Sequence, residues 1–239
     1  IYKSNKGFDL FTDFSKKIIL SNKNIKNFIN NSIKKKIKNK ETDLYIGFFG
    51  YEILNNLIGV KINKQKGLKF PKGIFYKPET KKKLSNKLNY KPTDNSKSKG
   101  IFNINLNKVS YKNIFNKFKK KIKLGETYQI KICTKYRKNS QIDALDFFCR
   151  LTKSNMAPEA FMINDKDYSI ISCSPENLIT KTKNIITTKP IAGTLKKTKK
   201  LNKSKALIFF KKNIKETKEH NMIVDMERSD LSKICKPGS

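Results

Sequence analysis

The chain has 239 residues, of which 37% are hydrophobic and 16 are Phe, so it can bury a core as one large domain or two small ones. The formal net charge is +35, but only three of the basic residues are Arg, and the Lys residues are spread along the whole chain. Proteins that read phosphates and bases favour the bidentate Arg fork, so this composition argues against nucleic acid as the partner, although the charge still favours anionic small molecules.

The first half of the chain predicts few regular elements. Apolar spacing predicts a helix over 8–37 that breaks near Ser21, and an aromatic-rich run predicts a strand over 44–51. Residues 77–100 are polar and rich in Lys, Ser and Asn, which predicts a long exposed loop.

The second half alternates helices with strands. Apolar side chains at helical spacing predict a helix over 111–122 that ends at Gly125. Further patterns predict a strand over 128–136, a helix over 145–151, strands over 160–163, 168–173, 178–183 and 185–189, and a helical region over 203–234 that breaks near Arg228. Because the strands are unevenly interleaved with helices, we expect an α+β fold with antiparallel β-sheets flanked by helices.

The cysteines and histidine exclude two kinds of site. Four Cys and one His lie far apart with no Cys-x-x-Cys pair, which predicts neither a zinc site nor a disulfide framework. Reduced thiols indicate a cytoplasmic protein, and no apolar run approaches the ~20 residues of a membrane helix, so we expect no membrane partner.

Two acidic groups are candidates for chemistry. Glu216 and Glu219 lie three residues apart in the predicted helical region, so they share a face on which hard oxygen ligands suit Mg²⁺. The same spacing also occurs on ordinary solvated helices. Glu176 follows a predicted strand, and a carboxylic acid there can act as a general acid if burial raises its pKa.

A glycine-containing turn is the third candidate. Residues Pro190 to Thr194 follow a predicted strand and offer backbone N–H groups and a hydroxyl, which could cradle a carboxylate or could simply end the strand.

In combination these groups resemble the chorismate-utilising enzymes, which include anthranilate synthase component I, aminodeoxychorismate synthase component I and the isochorismate and salicylate synthases. The resemblance extends from about Leu44 to the C-terminus. It is carried, in chain order, by Gly125-Glu126-Thr127-Tyr128-Gln129-Ile130, Ser172-Cys173-Ser174-Pro175-Glu176, Pro190-Ile191-Ala192-Gly193-Thr194, the run from Glu219 to Asp230, and Lys236-Pro237-Gly238-Ser239.

The resemblance implies a role for each matching residue. Glu219 matches the family's direct Mg²⁺ ligand, and Glu216 matches a second carboxylate that reaches the metal through water. Glu176 matches the general acid that protonates the departing C4 hydroxyl. Gly193 and Thr194, with Ala192 beside them, match the turn that binds a substrate carboxylate.

Two positions distinguish reactions within the family. Members that add water carry Lys where this chain has Gln129, which indicates ammonia as the nucleophile. Ala192 stands where aminodeoxychorismate synthases typically carry Lys, which favours the anthranilate form. The resemblance therefore implies Mg²⁺-dependent amination of chorismate and loss of pyruvate, in tryptophan biosynthesis, with a glutaminase subunit that supplies ammonia.

Two alternatives stay open from the sequence. The first is aminodeoxychorismate synthase component I, an enzyme of folate biosynthesis, and the second is a lysine-rich nucleic-acid-binding protein. The resemblance also implies that 1–100 is an N-terminal region with the polar loop near 77–100, and that 101–239 is the N-terminal part of a chorismate-binding catalytic domain, truncated at its C-terminus. The fold would then be incomplete and residues 1–239 alone inactive.

Overall fold

The computed structural model describes residues 1–4, 6–34, 44–60, 70–85, 88, 90 and 101–239. The chain forms two compact units: unit 1 contains Ile1–Leu88 and Leu151–Ser239, and unit 2 contains Asn89–Arg150. Unit 1 is thus built from both ends of the sequence. The boundary near residue 100 between an N-terminal region and a chorismate-binding domain stays a prediction.

The described elements follow one another in this order: β1 (Tyr2–Ser4), β2 (Gly7–Ile19), α1 (Ile25–Lys34), β3 (Ile46–Phe49), α2 (Tyr51–Leu57), β4 (Gly73–Leu84), β5 (Asn103–Ile104), α3 (Lys108–Lys123), β6 (Tyr136–Arg137), α4 (Ala144–Ser154), β7 (Glu159–Asn164), β8 (Ser169–Ser174), β9 (Thr180–Thr182), β10 (Ile185–Thr187), α5 (Lys203–Lys212) and α6 (Ile214–Ser232).

Unit 1 is organised around a six-stranded sheet with the strand order β3-β4-β2-β1-β7-β8, in which every pair is antiparallel. The short strand β1 joins the two halves of the sequence, since Tyr2 pairs with Phe161 and the N-terminal amine donates to Met162 O at 2.8 Å. The predicted α+β fold with antiparallel sheets is confirmed.

A small hydrophobic core lies where α1 and α2 cover the sheet. Leu20, Ile25 and Ile53 are almost fully buried there. Aromatic rings extend this core, because the ring centroid of Phe75 lies 4.8 Å from those of both Phe28 and Phe49. Such packing of rings adds to the apolar area removed from water, which is the main favourable term in folding.

A cluster of polar side chains links the β7–β8 turn to the strands β2 and β4. Asp165 accepts a hydrogen bond from Lys17 Nζ at 2.7 Å and another from the Tyr76 hydroxyl, which also lies 3.1 Å from the Tyr168 hydroxyl. The hydrogen bonds from Lys17 and then Tyr76 hold the pKa of Asp165 well below its usual range. Burial raises the pKa of Tyr76, so the pair is a neutral phenol bonded to an ionised carboxylate.

Three predicted elements in unit 1 are corrected by the structure. The helix predicted over 8–37 is wrong for its first half, where the chain forms the strand β2 and pairs with β1 and β4 over most of its length. Residues 35–37 lie outside the described residues. The predicted loop over 77–100 begins instead as the second half of β4, where Lys81 forms an ion pair with Asp9 at 3.0 Å. In both cases the partner strand supplies the backbone hydrogen bonds that local composition cannot reveal. The rest of that predicted loop lies largely outside the described residues.

The third correction concerns the C-terminal helices. Their break lies at Asn213 and not at Arg228, which sits within α6. Asn213 has an extended backbone and its side chain accepts a hydrogen bond from Glu216 N at 3.3 Å, so it caps the second helix.

Unit 2 contains the helix α3, which is confirmed and begins at the capping residue Asn107. The strand predicted over 128–136 is wrong except at its end: only Tyr136 and Arg137 form a strand, β6, which pairs with β5. Alternating apolar residues therefore do not suffice for a strand where no neighbour pairs with the backbone.

Candidate active site

One face of α6 carries three carboxylates. Glu216, Glu219 and Glu227 are half-buried, whereas Asp225 and Asp230 on the same helix are exposed. At about 100° per residue, the three glutamates fall within about 80° of arc. The helix therefore presents one acidic stripe toward the rest of unit 1.

The segment that follows β10 meets this acidic face at two points. Thr188 Oγ1 lies 2.6 Å from Glu227 Oε2, near the C-terminal end of the stripe. At the other end, a Cβ on Gly193 would lie 2.5 Å from Glu216 Oε2 and 2.9 Å from Phe210 Cε1. Gly193 has φ +78, a conformation that glycine adopts without strain. The turn can therefore approach Glu216 closely because this residue has no side chain.

Glu176 reaches the same segment from the other side. Its Oε1 accepts a hydrogen bond from the backbone N–H of Ile191 at 2.8 Å. The Ser174 hydroxyl supports the bend after β8, since it donates to Glu176 O at 2.9 Å and accepts from Glu176 N at 3.3 Å. Glu176 is exposed, so the burial that a general acid needs is not supplied by the described residues.

Ion pairs within the described part of the chain do not neutralise the acidic face. The described residues provide ion pairs for Asp9, Glu126, Asp146, Asp165, Asp225 and Asp230. They provide none for Glu176, Glu216, Glu219 or Glu227. Half-buried carboxylates that share a face repel one another, so this arrangement favours binding of a cation from solution.

The donor chemistry fits a hard cation, although the described residues bring no three His, Cys, Asp or Glu side chains close enough to form a metal site by themselves. Glu216 and Glu219 offer only oxygen, the ligand that Mg²⁺ prefers, and Mg²⁺ commonly takes just one or two carboxylates and completes its shell with water and substrate oxygens. The chemistry of these two residues is therefore compatible with Mg²⁺ binding, and the metal stays a prediction.

Comparison with known proteins identifies the family. The model of the chorismate binding enzymes matches residues 3–239. The chain belongs to this family. The match includes residues 3–43, to which the motif resemblance did not extend.

Relatives agree with this assignment. The chain is 36% identical over 171 residues to anthranilate synthase component 1 of Buchnera aphidicola subsp. Rhopalosiphum padi, covering 67% of this chain and 33% of that protein. It is 28% identical over 222 residues to an anthranilate synthase component I-like protein of Synechocystis sp., covering 82% of this chain and 46% of that protein. Thus the chain spans between about a third and a half of the length of these relatives.

The fold matches that of anthranilate synthase component I from Streptococcus pneumoniae TIGR4. The TM-score is 0.75 at 19% sequence identity, over 96% of this chain and 62% of that one. Since the identity is low, this likeness concerns the fold.

Six of the seven sequence-predicted site residues of this family member lie in unit 1. Glu176 contacts the turn at Ile191, Gly193 contacts Glu216, and Glu219 lies on the same helix face as Glu216. Ala192 is half-buried and Thr194 is exposed in the same turn. Gln129 belongs to unit 2, where it is exposed and its backbone oxygen accepts from Thr127 Oγ1 at 3.1 Å. The catalytic, binding and metal roles of these residues stay predictions.

Sequence reasoning missed Glu227 and Thr188. Glu227 follows Glu216 by eleven residues, which is three turns of helix, so helical periodicity alone could have grouped it with Glu216 and Glu219. No pattern signals Thr188, because its partner lies 39 residues away.

Proposed function

We propose that the complete gene product containing these residues aminates chorismate with ammonia and releases pyruvate and water to form anthranilate, in tryptophan biosynthesis. The observation that carries the proposal is the contact between the turn at Gly193 and the acidic face of α6, with Glu176 bonded to the same turn at Ile191. These contacts support the proposal because they bring together residues for which the resemblance implies carboxylate-binding, acid and cation-binding roles.

Each residue then has a defined task. The turn around Ala192, Gly193 and Thr194 binds a substrate carboxylate through its backbone N–H groups. Glu176 donates a proton to the C4 hydroxyl, which departs as water while the amine bonds to C2. Loss of the enolpyruvyl group as pyruvate, with release of a ring proton, then leaves the aromatic amine.

We propose Mg²⁺ as the cation, held by Glu219 directly and by Glu216 through water. Bound Mg²⁺ would neutralise the substrate carboxylate and orient the ring. Without the cation, Glu216 and Glu219 would repel an anionic substrate, so activity should depend on it.

The nitrogen source follows from Gln129. The resemblance implies Lys at this position in members that add water, and an amide cannot deprotonate water, which supports ammonia as the nucleophile. We propose that a glutaminase subunit delivers it. We also propose a cytoplasmic location, which is supported by the four cysteines, since no disulfide joins any of them and all lie in the described part of the chain. Among the described residues, every helix is too short or too polar to cross a membrane.

The product decides between the proposal and its alternatives. We expect the complete gene product, given chorismate, ammonium and Mg²⁺, to form anthranilate, and a chelator to abolish the reaction. Formation of 4-amino-4-deoxychorismate would identify the folate-pathway alternative instead. Salt-dependent binding of DNA without chorismate turnover would refute the enzyme assignment in favour of a nucleic-acid-binding protein.

A further inference from the structure

The hairpin of β9 and β10 has little to hold it in place. In the described part of the chain, its two strands pair only with each other, and five of their six residues are exposed. Yet this hairpin leads directly into the turn that would bind the substrate carboxylate. An isolated two-stranded hairpin is marginally stable, so its position depends on contacts outside the ladder.

Thr188 supplies such a contact immediately after β10. Its hydroxyl oxygen lies 2.6 Å from Glu227 Oε2 and 3.0 Å from Leu178 O. A hydroxyl has a single proton, and an ionised carboxylate is a stronger acceptor than a carbonyl. Thr188 therefore donates to Glu227, in a partly buried setting where such a bond is strengthened.

The two contact points of the segment match in spacing. Eleven residues separate Glu216 from Glu227, which is about 16 Å of helix at ~1.5 Å per residue. Five residues separate Thr188 from Gly193, which is also about 16 Å at ~3.3 Å per residue of extended chain. An extended segment 188–193 can therefore span the two contacts, antiparallel to α6, with Glu219 between them along the helix.

We propose that Glu227 is a positioning residue: by holding Thr188, it fixes the segment 188–194 along α6 and so sets the distance of the carboxylate-binding turn from Glu216 and Glu219. This inference rests on the proposed function. Glu227 contacts neither substrate nor metal in this scheme. It acts through Thr188, at the far end of the segment from Gly193.

The inference predicts a particular kinetic signature. A turn that holds a carboxylate binds the substrate in its ground state and in the transition state alike, so loosening it raises KM and leaves kcat nearly unchanged. Losing a hydrogen bond to a charged group should raise the KM for chorismate on the order of 10-fold.

The test uses matched variants of the complete gene product. Thr188→Val and Glu227→Ala should each raise KM by this factor, and the double variant should be no worse than either, because both remove one bond. Thr188→Ser keeps the donor and should restore a normal KM, whereas Glu227→Gln keeps only a weaker neutral acceptor and should give a KM between those of the parent and Glu227→Ala. Thr187→Val, at the exposed neighbouring position in β10, is the matched control and should change nothing.

A second readout is independent of turnover. Amide hydrogen exchange of the segment 188–194 should be faster in Thr188→Val and Glu227→Ala than in the parent and in Thr187→Val. Unchanged exchange, or additive effects on KM, would overturn the inference while the proposed function stands. A lowered melting temperature with unchanged KM would also overturn it, since that is the signature of a merely structural contact. Absence of chorismate turnover by the unmodified protein would instead refute the proposed function, and the inference with it.

Discussion

The close approach of Gly193 to the acidic face predicts the effect of a single added methyl group. Gly193→Ala would place a Cβ 2.5 Å from Glu216 Oε2 and 2.9 Å from Phe210 Cε1, at a backbone φ of +78. Both neighbouring atoms are far ends of side chains, so they can turn away, but Glu216 would then leave its place beside the turn. We expect the backbone conformation alone to cost about 1–2 kcal/mol. Because a domain of this kind has roughly 5–15 kcal/mol of stability, the variant should still fold.

Gly59→Ala separates the cost of backbone strain from the cost of displacing the turn and Glu216. Gly59 has nearly the same φ, +77, but none of the described residues comes within 4 Å of the Cβ that would be added. Both variants of the complete gene product should therefore lose similar stability from backbone strain, measured as a lowered melting temperature. Only Gly193→Ala should also raise the KM for chorismate, by on the order of 5–30-fold, if displacement of the turn and of Glu216 costs a further ~1–2 kcal/mol in binding.

The outcome that refutes this reasoning is equal behaviour of the two variants. If Gly193→Ala and Gly59→Ala lowered the melting temperature alike and left the KM for chorismate alike, then the turn would not lie against Glu216 in the working protein. The site in unit 1 would then have to be abandoned.

Four other changes probe the remaining roles. Glu219→Gln should abolish Mg²⁺-dependent turnover because an amide lacks the ligand's charge, while Glu52→Gln on the exposed start of α2 should have no effect; equal losses would make Glu219 an ordinary surface residue. Glu176→Gln should lower kcat on the order of 10²–10⁴-fold with little change in KM, whereas a structural role would lower the melting temperature and spare turnover. Gln129→Lys should add a base and divert some product to isochorismate. The unmodified protein should form no isochorismate when all nitrogen sources are omitted. If the unmodified protein formed isochorismate at full rate without a nitrogen source, ammonia would not be the nucleophile. Asp165→Asn should destabilise the β7–β8 turn by about 1–3 kcal/mol at neutral pH. Since the pKa of Asp165 is lowered in the folded protein, the parent should lose its extra stability over the variant as pH falls below about 4. A pH-independent difference in melting temperature would contradict a stabilising role of the ionised Asp165.

The sequence by itself predicted the helices α3 and α4 and the presence of a C-terminal helical region, but neither α2 nor the break at Asn213. The helix α3 follows from the apolar spacing of residues such as Tyr111, Phe115 and Ile122, because a helix closes its hydrogen bonds within a few residues. The five motifs in their order along the chain indicated the family, since that order does not depend on how the chain folds.

Tertiary structure alone decided the strands and the assembly of the site. The start of the chain has helical apolar spacing but forms the strand β2, because its backbone groups bond to β1 and β4. The strand β4 lies more than fifty residues away in the sequence. Likewise, the sequence does not distinguish Glu227 from other charged residues on a helix, because its partner Thr188 lies 39 residues away and contacts it only in the folded chain. Local patterns record a residue's preferences, but a strand's partner and a carboxylate's neighbours are set by contacts between distant segments, which only the folded chain brings together.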